Sequence, residues 1–256
     1  MLPWWCPQVV SSTVRGVNLA HRRWLEVVVA LLIVAAPPPA LAAEFSGRFY
    51  EVGSGRSKLL FTNQATETVT GARRVQSVVF KGLDGADLVL EQTVWEHGAL
   101  TRFEFDQRQV DEQGSVEVGP DTVTFRYTSE GKTKTATEKR TANFVVPGTL
   151  DEYVHAHWSE IQRGESVAVR FAVLDRLETI GFKLFKDKDL TLDGKKYVVV
   201  SMVPSDFFIR LLVKKVSIVF VENGDGILEI VGRTSPKLRE GKRWVDCDAE
   251  GVFTTP

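Results

Sequence analysis

The sequence predicts an all-β fold, β-rich with one or two helices, in which a curved antiparallel sheet or open half-barrel wraps a helix. Three observations carry that expectation. Apolar and polar residues alternate along much of residues 44–256, the period-2 pattern of half-buried strands. Turn signals rich in Gly, Asp and Asn recur at short intervals between the alternating runs. One stretch, Thr149 to Gly164, changes to helical spacing instead.

Taken in order, the strands read as follows. Phe103 and Phe105 alternate with Arg102, Glu104 and Asp106; Val116 and Val118 follow. Val123, Phe125 and Tyr127 oppose Thr122, Thr124 and Arg126. Val167, Val169, Phe171 and Val173 share a face, as do Ile180, Phe182 and Leu184. Residues 196–201 form a strand apolar on both faces, and Val216, Ile218 and Phe220 meet Ile227 to Val231 across the Gly-rich loop 222–226. Turns are expected at Gly53-Ser54-Gly55, Asp84-Gly85, Gln113-Gly114, Gly119-Pro120, Glu130-Gly131 and Asp193-Gly194. The Lys- and Thr-rich stretch Gly131 to Thr141 carries Glu138 within it and reads as a solvated strand face rather than an anion site.

The helix is expected over residues 149–164. Thr149 and Glu152 have capping-box spacing, Asp151 and Glu152 stand in the first turn, and Gly164 is placed to end it. Leu150, Val154, Trp158 and Ile161 recur on one face. A second segment, Phe207 to Val213, reads either as a short helix capped by Ser205 or as a strand.

Residues 1–42 read as a signal peptide. The basic patch His21-Arg22-Arg23 precedes an apolar run of ten, Val27 to Ala36, then Pro37-Pro38-Pro39 and the small-residue pattern Ala40-Leu41-Ala42. The run is shorter than the roughly 20 residues that span a bilayer, so no transmembrane anchor is expected in the mature chain. Cleavage is expected after Ala42 or Ala43. Residues 1–16 make the leader unusually long, and a start at Val17 gives one of ordinary length. The residues flanking Arg22-Arg23 fit the twin-arginine export motif poorly, which favours an ordinary basic region. Residues 43–256 are then a single β-rich periplasmic domain, with neither a linker nor a composition shift to divide it. Removal of Cys6 with the leader leaves Cys247 alone between Asp246 and Asp248, which disfavour a thiolate.

Composition excludes other classes. Hydrophobic residues make up 43% and charged residues 25%, enough apolar matter for a core. The net charge is −1, and the leader holds three of the arginines, so no excess of positive charge is available to neutralise a phosphate backbone and no nucleic-acid partner is expected.

The segment Val145-Val146-Pro147-Gly148-Thr149-Leu150-Asp151, the helix bearing His157-Trp158, the strand Val167 to Arg176, and the run Phe208-Ile209-Arg210-Leu211-Leu212-Val213 ending later in Gly232-Arg233 resemble a group of uncharacterised exported β-rich proteins of Gram-negative bacteria. That group is similar in layout to the half-barrel lipoprotein carriers of the periplasm, in which a curved antiparallel sheet wraps a helix. The resemblance spans about two-thirds of the chain. It rests on order and spacing, implies compartment and fold, and brings no catalytic residues with it.

Three functions follow as expectations. The first is a non-enzymatic binding or carrier module for an apolar or lipid ligand of the cell envelope. Its groove and lid would comprise Leu150, Val154, Trp158, Ile161, Phe207 and Phe208. The second is a structural or assembly partner that offers a sheet edge to another envelope protein. An esterase-type hydrolase is a distant third. Neither catalytic residues, metal ligands nor a cofactor are assigned. His155 and His157, two apart on a helix, face away from each other, His97 stands alone, and a Gly-x-Ser-x-Gly elbow is missing. Asp187, Asp189 and Asp193-Gly194 have the wrong spacing for an EF-hand.

Overall fold

A computed structural model describes residues 43–212, 214–224 and 226–254. The expected leader, with Cys6 and the alternative start at Val17, lies outside the described residues. Among these, fifteen strands join in one sheet. Its first half comprises β1 (Ala43–Glu51), β2 (Leu59–Thr70), β3 (Arg73–Lys81), β4 (Asp87–Glu96), β5 (Ala99–Gln107), β6 (Glu112–Val118), β7 (Thr122–Ser129) and β8 (Lys132–Lys139). The second half comprises β9 (Phe144–Val145), β10 (Val167–Val173), β11 (Glu178–Leu192), β12 (Lys195–Pro204), β13 (Val216–Val221), β14 (Ile227–Glu240) and β15 (Arg243–Thr254). Between β9 and β10 lie α1 (Leu150–Ala156) and α2 (Trp158–Gln162); α3 (Phe207–Leu212) joins β12 to β13.

The strand order is β8-β7-β6-β5-β4-β3-β2-β1-β15-β14-β13-β12-β11-β10-β9. Two meanders therefore meet where β1 pairs antiparallel with β15, Ser46 opposite Thr254 and Phe49 opposite Gly251. The β9–β10 pairing is parallel, with Arg170 facing Phe144 and Phe171 facing Val145, because α1 and α2 form the crossover that a parallel pair requires.

The sheet curls but does not close. β8 and β9 are its outermost strands, and side chains rather than a ladder bridge the seam. Glu138 on β8 accepts the Thr179 hydroxyl at 2.8 Å and the Thr179 N–H at 3.2 and 3.3 Å. The expected solvated face at 131–141 is β8, whose Lys132, Lys134 and Lys139 are exposed. Charged edge residues of this kind blunt pairing with foreign strands.

Alternation explains the interior. Phe103, Val116, Val123 and Phe125 are buried with Val146 and Ala172 in one cluster. Phe49, Phe61, Phe80 and Val89 form a second with Cys247 and Ala249. The third spans Val167 and Val169, Phe182 and Leu184, Val198 and Val200, Ile218 and Phe220, with Val154 and Ile161 of the helices packed into it. A bulge in β14 reaches across the inside of the curl. Register passes from Thr234↔Cys247 to Lys237↔Asp246, which leaves Ser235 and Pro236 outside the ladder. Gln107 on β5 donates to the Ser235 carbonyl at 2.8 Å. Gln109 exchanges two hydrogen bonds with the Lys237 backbone, at 2.9 and 2.8 Å. Cys247 is buried, and burial pushes its thiol up. Among the described residues no helix is long and apolar enough to cross a membrane.

Local chemistry departs from expectation at four points. The turn expected at Gln113-Gly114 falls inside β6, where Gly114 pairs with Tyr127, and the chain reverses at 108–111 instead. The helix at 150–162 breaks at His157, whose N–H is shared between the Tyr153 and Val154 carbonyls, both at 3.2 Å, a bifurcation typical of helix ends. Thr149 does not form the capping box. The 3-10 turn Pro147–Thr149 directs its hydroxyl back to the N–H and carbonyl of Val146, both at 3.1 Å, while Glu152 pairs with Arg74 of β3. The cap of α3 is Asp206 rather than Ser205: its Oδ1 accepts the N–H groups of Phe208 at 2.8 Å and Ile209 at 3.0 Å. Gly164 does end the helix as read, with the Glu165 N–H bonded to the Glu160 carbonyl and Gly164 N–H to that of Ile161, each at 3.0 Å.

Candidate functional site

The apolar stripe of α1 and α2 belongs to the core. Val154 and Ile161 are fully buried. Leu150 and Trp158 are partly buried against the same cluster. The indole of Trp158 lies 5.6 Å from the Phe220 ring and rests on the β13–β14 turn at Gly224. Gly224 has φ +82°, and a Cβ there would stand 2.8 Å from the indole. The turn thus requires glycine twice, for its backbone and for the ring above it.

Phe207 and Phe208 do not join that stripe. They are 66% and 74% exposed and contact each other edge to face, with ring centroids 5.8 Å apart. Their neighbour Ile209 packs against the core. The element that carries them is firmly mounted. Asp206 caps it, the Ser205 N–H bonds to the Gly181 carbonyl at 2.8 Å, and the Arg210 guanidinium holds the Pro204 carbonyl through Nε at 3.2 Å and Nη2 at 3.0 Å. Two large apolar rings are therefore held in solvent by a short helix tied through three residues, Ser205, Asp206 and Arg210.

A hollow of about 350 Å³ opens at the foot of α3, lined by Arg170, Arg176, Thr179, Ile180, Ser205 and Ile209 among others. Arg170 Nε donates to the Thr179 hydroxyl at 2.9 Å, and Arg176 Nε to Glu178 at 2.7 Å. Glu178 and Asp206 also line this hollow, so it carries guanidinium and carboxylate groups together, and the exposed rings of Phe207 and Phe208 belong to the helix whose base borders it. A second hollow, also about 350 Å³, lies on β4–β7 among Gln92, Arg102, Glu104, Asp106, Ser115 and Arg126. There Arg102 pairs with Glu104 at 2.6 Å and Glu117 at 3.0 Å, so its charges are largely matched within the protein.

Sequence reading passed over Glu91. It is buried on β4, hydrogen-bonded by the Ser235 hydroxyl of the β14 bulge, and burial holds its carboxyl above the ordinary value. Alternation puts Glu91 on one face with Thr93 and the apolar Val89 and Trp95, but nothing in that local pattern marks the β14 bulge that covers it. Beside it the Gln107 Oε1 and, on β2, the Asn63 Oδ1 are buried without a partner among the described residues.

The remaining candidates are dispersed. His97 occupies the β4–β5 turn at φ +52°, its N–H bonded to the Ala72 carbonyl at 2.8 Å. His155 is exposed on α1, and His157 Nδ1 pairs with Glu160 at 2.8 Å. Asp187 on β11 takes the Ser201 hydroxyl at 3.1 Å and Lys215 at 2.8 Å, and Asp189 pairs with Lys186 at 2.7 Å. Asp193 lies in the β11–β12 turn at φ +50°. The residues Gly53-Ser54-Gly55 form the expected turn, the Ser54 N–H bonded to the Glu51 carbonyl at 3.1 Å.

No family model matches the chain, and no curated protein matches it in sequence. Among solved structures it is similar to a β-barrel-like protein of the domain of unknown function DUF1849 from Brucella abortus. The identity is 11% and the TM-score 0.44, over 84% of this chain and 95% of that one.

Proposed function

We propose that the domain is a non-enzymatic periplasmic module that binds or carries an apolar, amphiphilic ligand of the cell envelope. The observation that carries this reading is the exposed pair Phe207 and Phe208 on α3, the helix whose Asp206 cap and Ile209 line the hollow at its foot. Burying a Phe side chain is worth about 1.5–3 kcal/mol. A fold that keeps two such rings in water forgoes that gain unless something else covers them. Because Val154 and Ile161 are already packed in the core, the ligand is engaged at the α3 tip rather than engulfed beneath α1 and α2.

The alternative, an assembly partner recruited through a sheet edge, is weaker on geometry. β8 is the longer free edge, but its exposed lysines oppose pairing, and Glu138 is already committed across the seam to Thr179.

Thermal unfolding in the presence of monomeric lysophospholipid tests the proposal. The wild-type midpoint should rise with ligand. The double variant Phe207→Ser/Phe208→Ser should keep the unliganded midpoint and lose the rise. A wild-type midpoint indifferent to lysophospholipid and to fatty acid would count against the reading.

A further inference from the structure

The segment Ser205 to Lys215 carries more than an apolar tip. Beyond Phe207 and Phe208 it contains Arg210, Lys214 and Lys215 against the single acid Asp206, whose Oδ1 already serves the helix cap. Lys214 pairs with Asp248 at 3.1 Å, yet its side chain is 82% exposed while that of Asp248 is 21% exposed. Lys215 pairs with Asp187 at 2.8 Å, 48% against 33%. In both pairs the cation is the outer member. The outermost charges of these two pairs are accordingly the ammonium groups, on the segment that also carries two unburied aromatic rings. The six residues of α3 rise about 9 Å, and the three residues on to Lys215 add at most about 11 Å, so the chain keeps the rings and the lysines within about 20 Å of each other.

We infer that α3 docks the domain on a bilayer that contains anionic phospholipid. Phe207 and Phe208 enter the boundary between headgroups and acyl chains, and Lys214 and Lys215 meet the headgroup phosphates. Aromatic rings beside cations are the composition that favours this interface. The anchoring of α3 through Asp206 and Arg210 means that insertion requires no refolding of the helix. This inference rests on the reading of α3 as the apolar-contact element and extends it from a single amphiphile to a membrane surface.

The test is co-sedimentation of the mature domain with vesicles, either phosphatidylglycerol mixed with phosphatidylethanolamine or phosphatidylcholine alone, at low and high salt. Wild type should pellet with the anionic vesicles and be released by salt. Phe207→Ser/Phe208→Ser should lower partitioning at least about tenfold. Lys214→Gln should weaken it about fivefold at low salt and little at high salt, with the unfolding midpoint unchanged in both variants. Wild type that stays in the supernatant overturns the inference, as does equal binding to phosphatidylcholine or undiminished binding by the double Phe variant. So does a dimer in sedimentation velocity that the double Phe variant abolishes, because it assigns the rings to a second copy. A lysophospholipid midpoint shift without vesicle binding leaves the ligand-binding proposal standing and rejects docking alone. Vesicle binding without that shift does the reverse.

Discussion

Replacing Trp158 by Ala probes whether the helices are structural or a movable cover. A fully interior Trp buries about 150–250 Å². Trp158 is partly buried, so about 100 Å² returns to water, worth about 2.5 kcal/mol at 25 cal/mol per Å². Loss of the ring contact with Phe220 adds about 0.5–1.5 kcal/mol. The expected cost is about 3–4 kcal/mol in urea unfolding followed by far-ultraviolet circular dichroism. Gly224→Ala supplies the complementary perturbation. Its left-handed backbone costs an L-residue about 1–2 kcal/mol, and the new Cβ meets the indole at 2.8 Å. In a Trp158→Ala background that collision disappears and only the backbone cost remains. The double variant should therefore be more stable than the sum of the single losses by about 1 kcal/mol or more. Losses that add to within about 0.5 kcal/mol would refute the argument that the indole seats the turn. The Trp158→Ala cost should also be the same with and without lysophospholipid, since the partners identified for the ring are protein groups. A cost that grows in the presence of ligand would restore the lid.

Glu91 makes stability depend on pH. Its carboxyl is raised in the folded state by burial, so the native protein holds a proton that the unfolded chain releases. Stability is full below the unfolded value and falls as pH rises through the folded one. Glu91→Gln should flatten that decline and raise stability at neutral pH, as read from urea midpoints between about pH 4 and 8. Gly148→Ala would place a Cβ 2.0 Å from the Thr93 hydroxyl and should cost about 1–3 kcal/mol; Thr93→Ala should recover part of this in the same assay. The export reading predicts a periplasmic protein that begins at Ala43 or Glu44 and has one thiol by intact mass and titration. A full-length cytoplasmic chain that retains Cys6 would contradict it.

Period-2 alternation made the strands legible because it is local. Phe103, Val123 and Phe125, and Ile180 with Phe182 and Leu184, all face inward as their spacing requires. Helical spacing likewise put Leu150, Val154, Trp158 and Ile161 on one face, but the expected groove and lid is core instead, with Val154 and Ile161 buried in it. Legibility ended where a neighbour distant in sequence decides. The Thr149 cap fails because Pro147-Gly148 forms its own turn first. Apart from Arg210 the run Phe207 to Val213 is apolar, and hydrophobicity cannot say that Ile209 finds the core while Phe207 and Phe208 do not. Glu91 looks like one more strand carboxylate until the β14 bulge, far along the chain, closes over it.

The junction of β1 with β15 implies a different way to write the same molecule. Read from β9 through β15 and then β1 through β8, the chain order and the spatial order of the strands coincide. Ser46 already faces Thr254, so a short linker could join those ends, and new ends could open in the connection 140–143 between the two outermost strands. In such a circular permutant all neighbouring strands would be consecutive, antiparallel except for the β9–β10 pair, with the β1–β15 pairing made local. In the natural arrangement the two halves are formed first and last, and the seam that unites them waits for the final strand. Folding of the natural chain should accordingly be slower than that of the permutant. Under the proposed export, with the chain threaded through a membrane from its N-terminus, that delay would keep the sheet divided until β15 emerges.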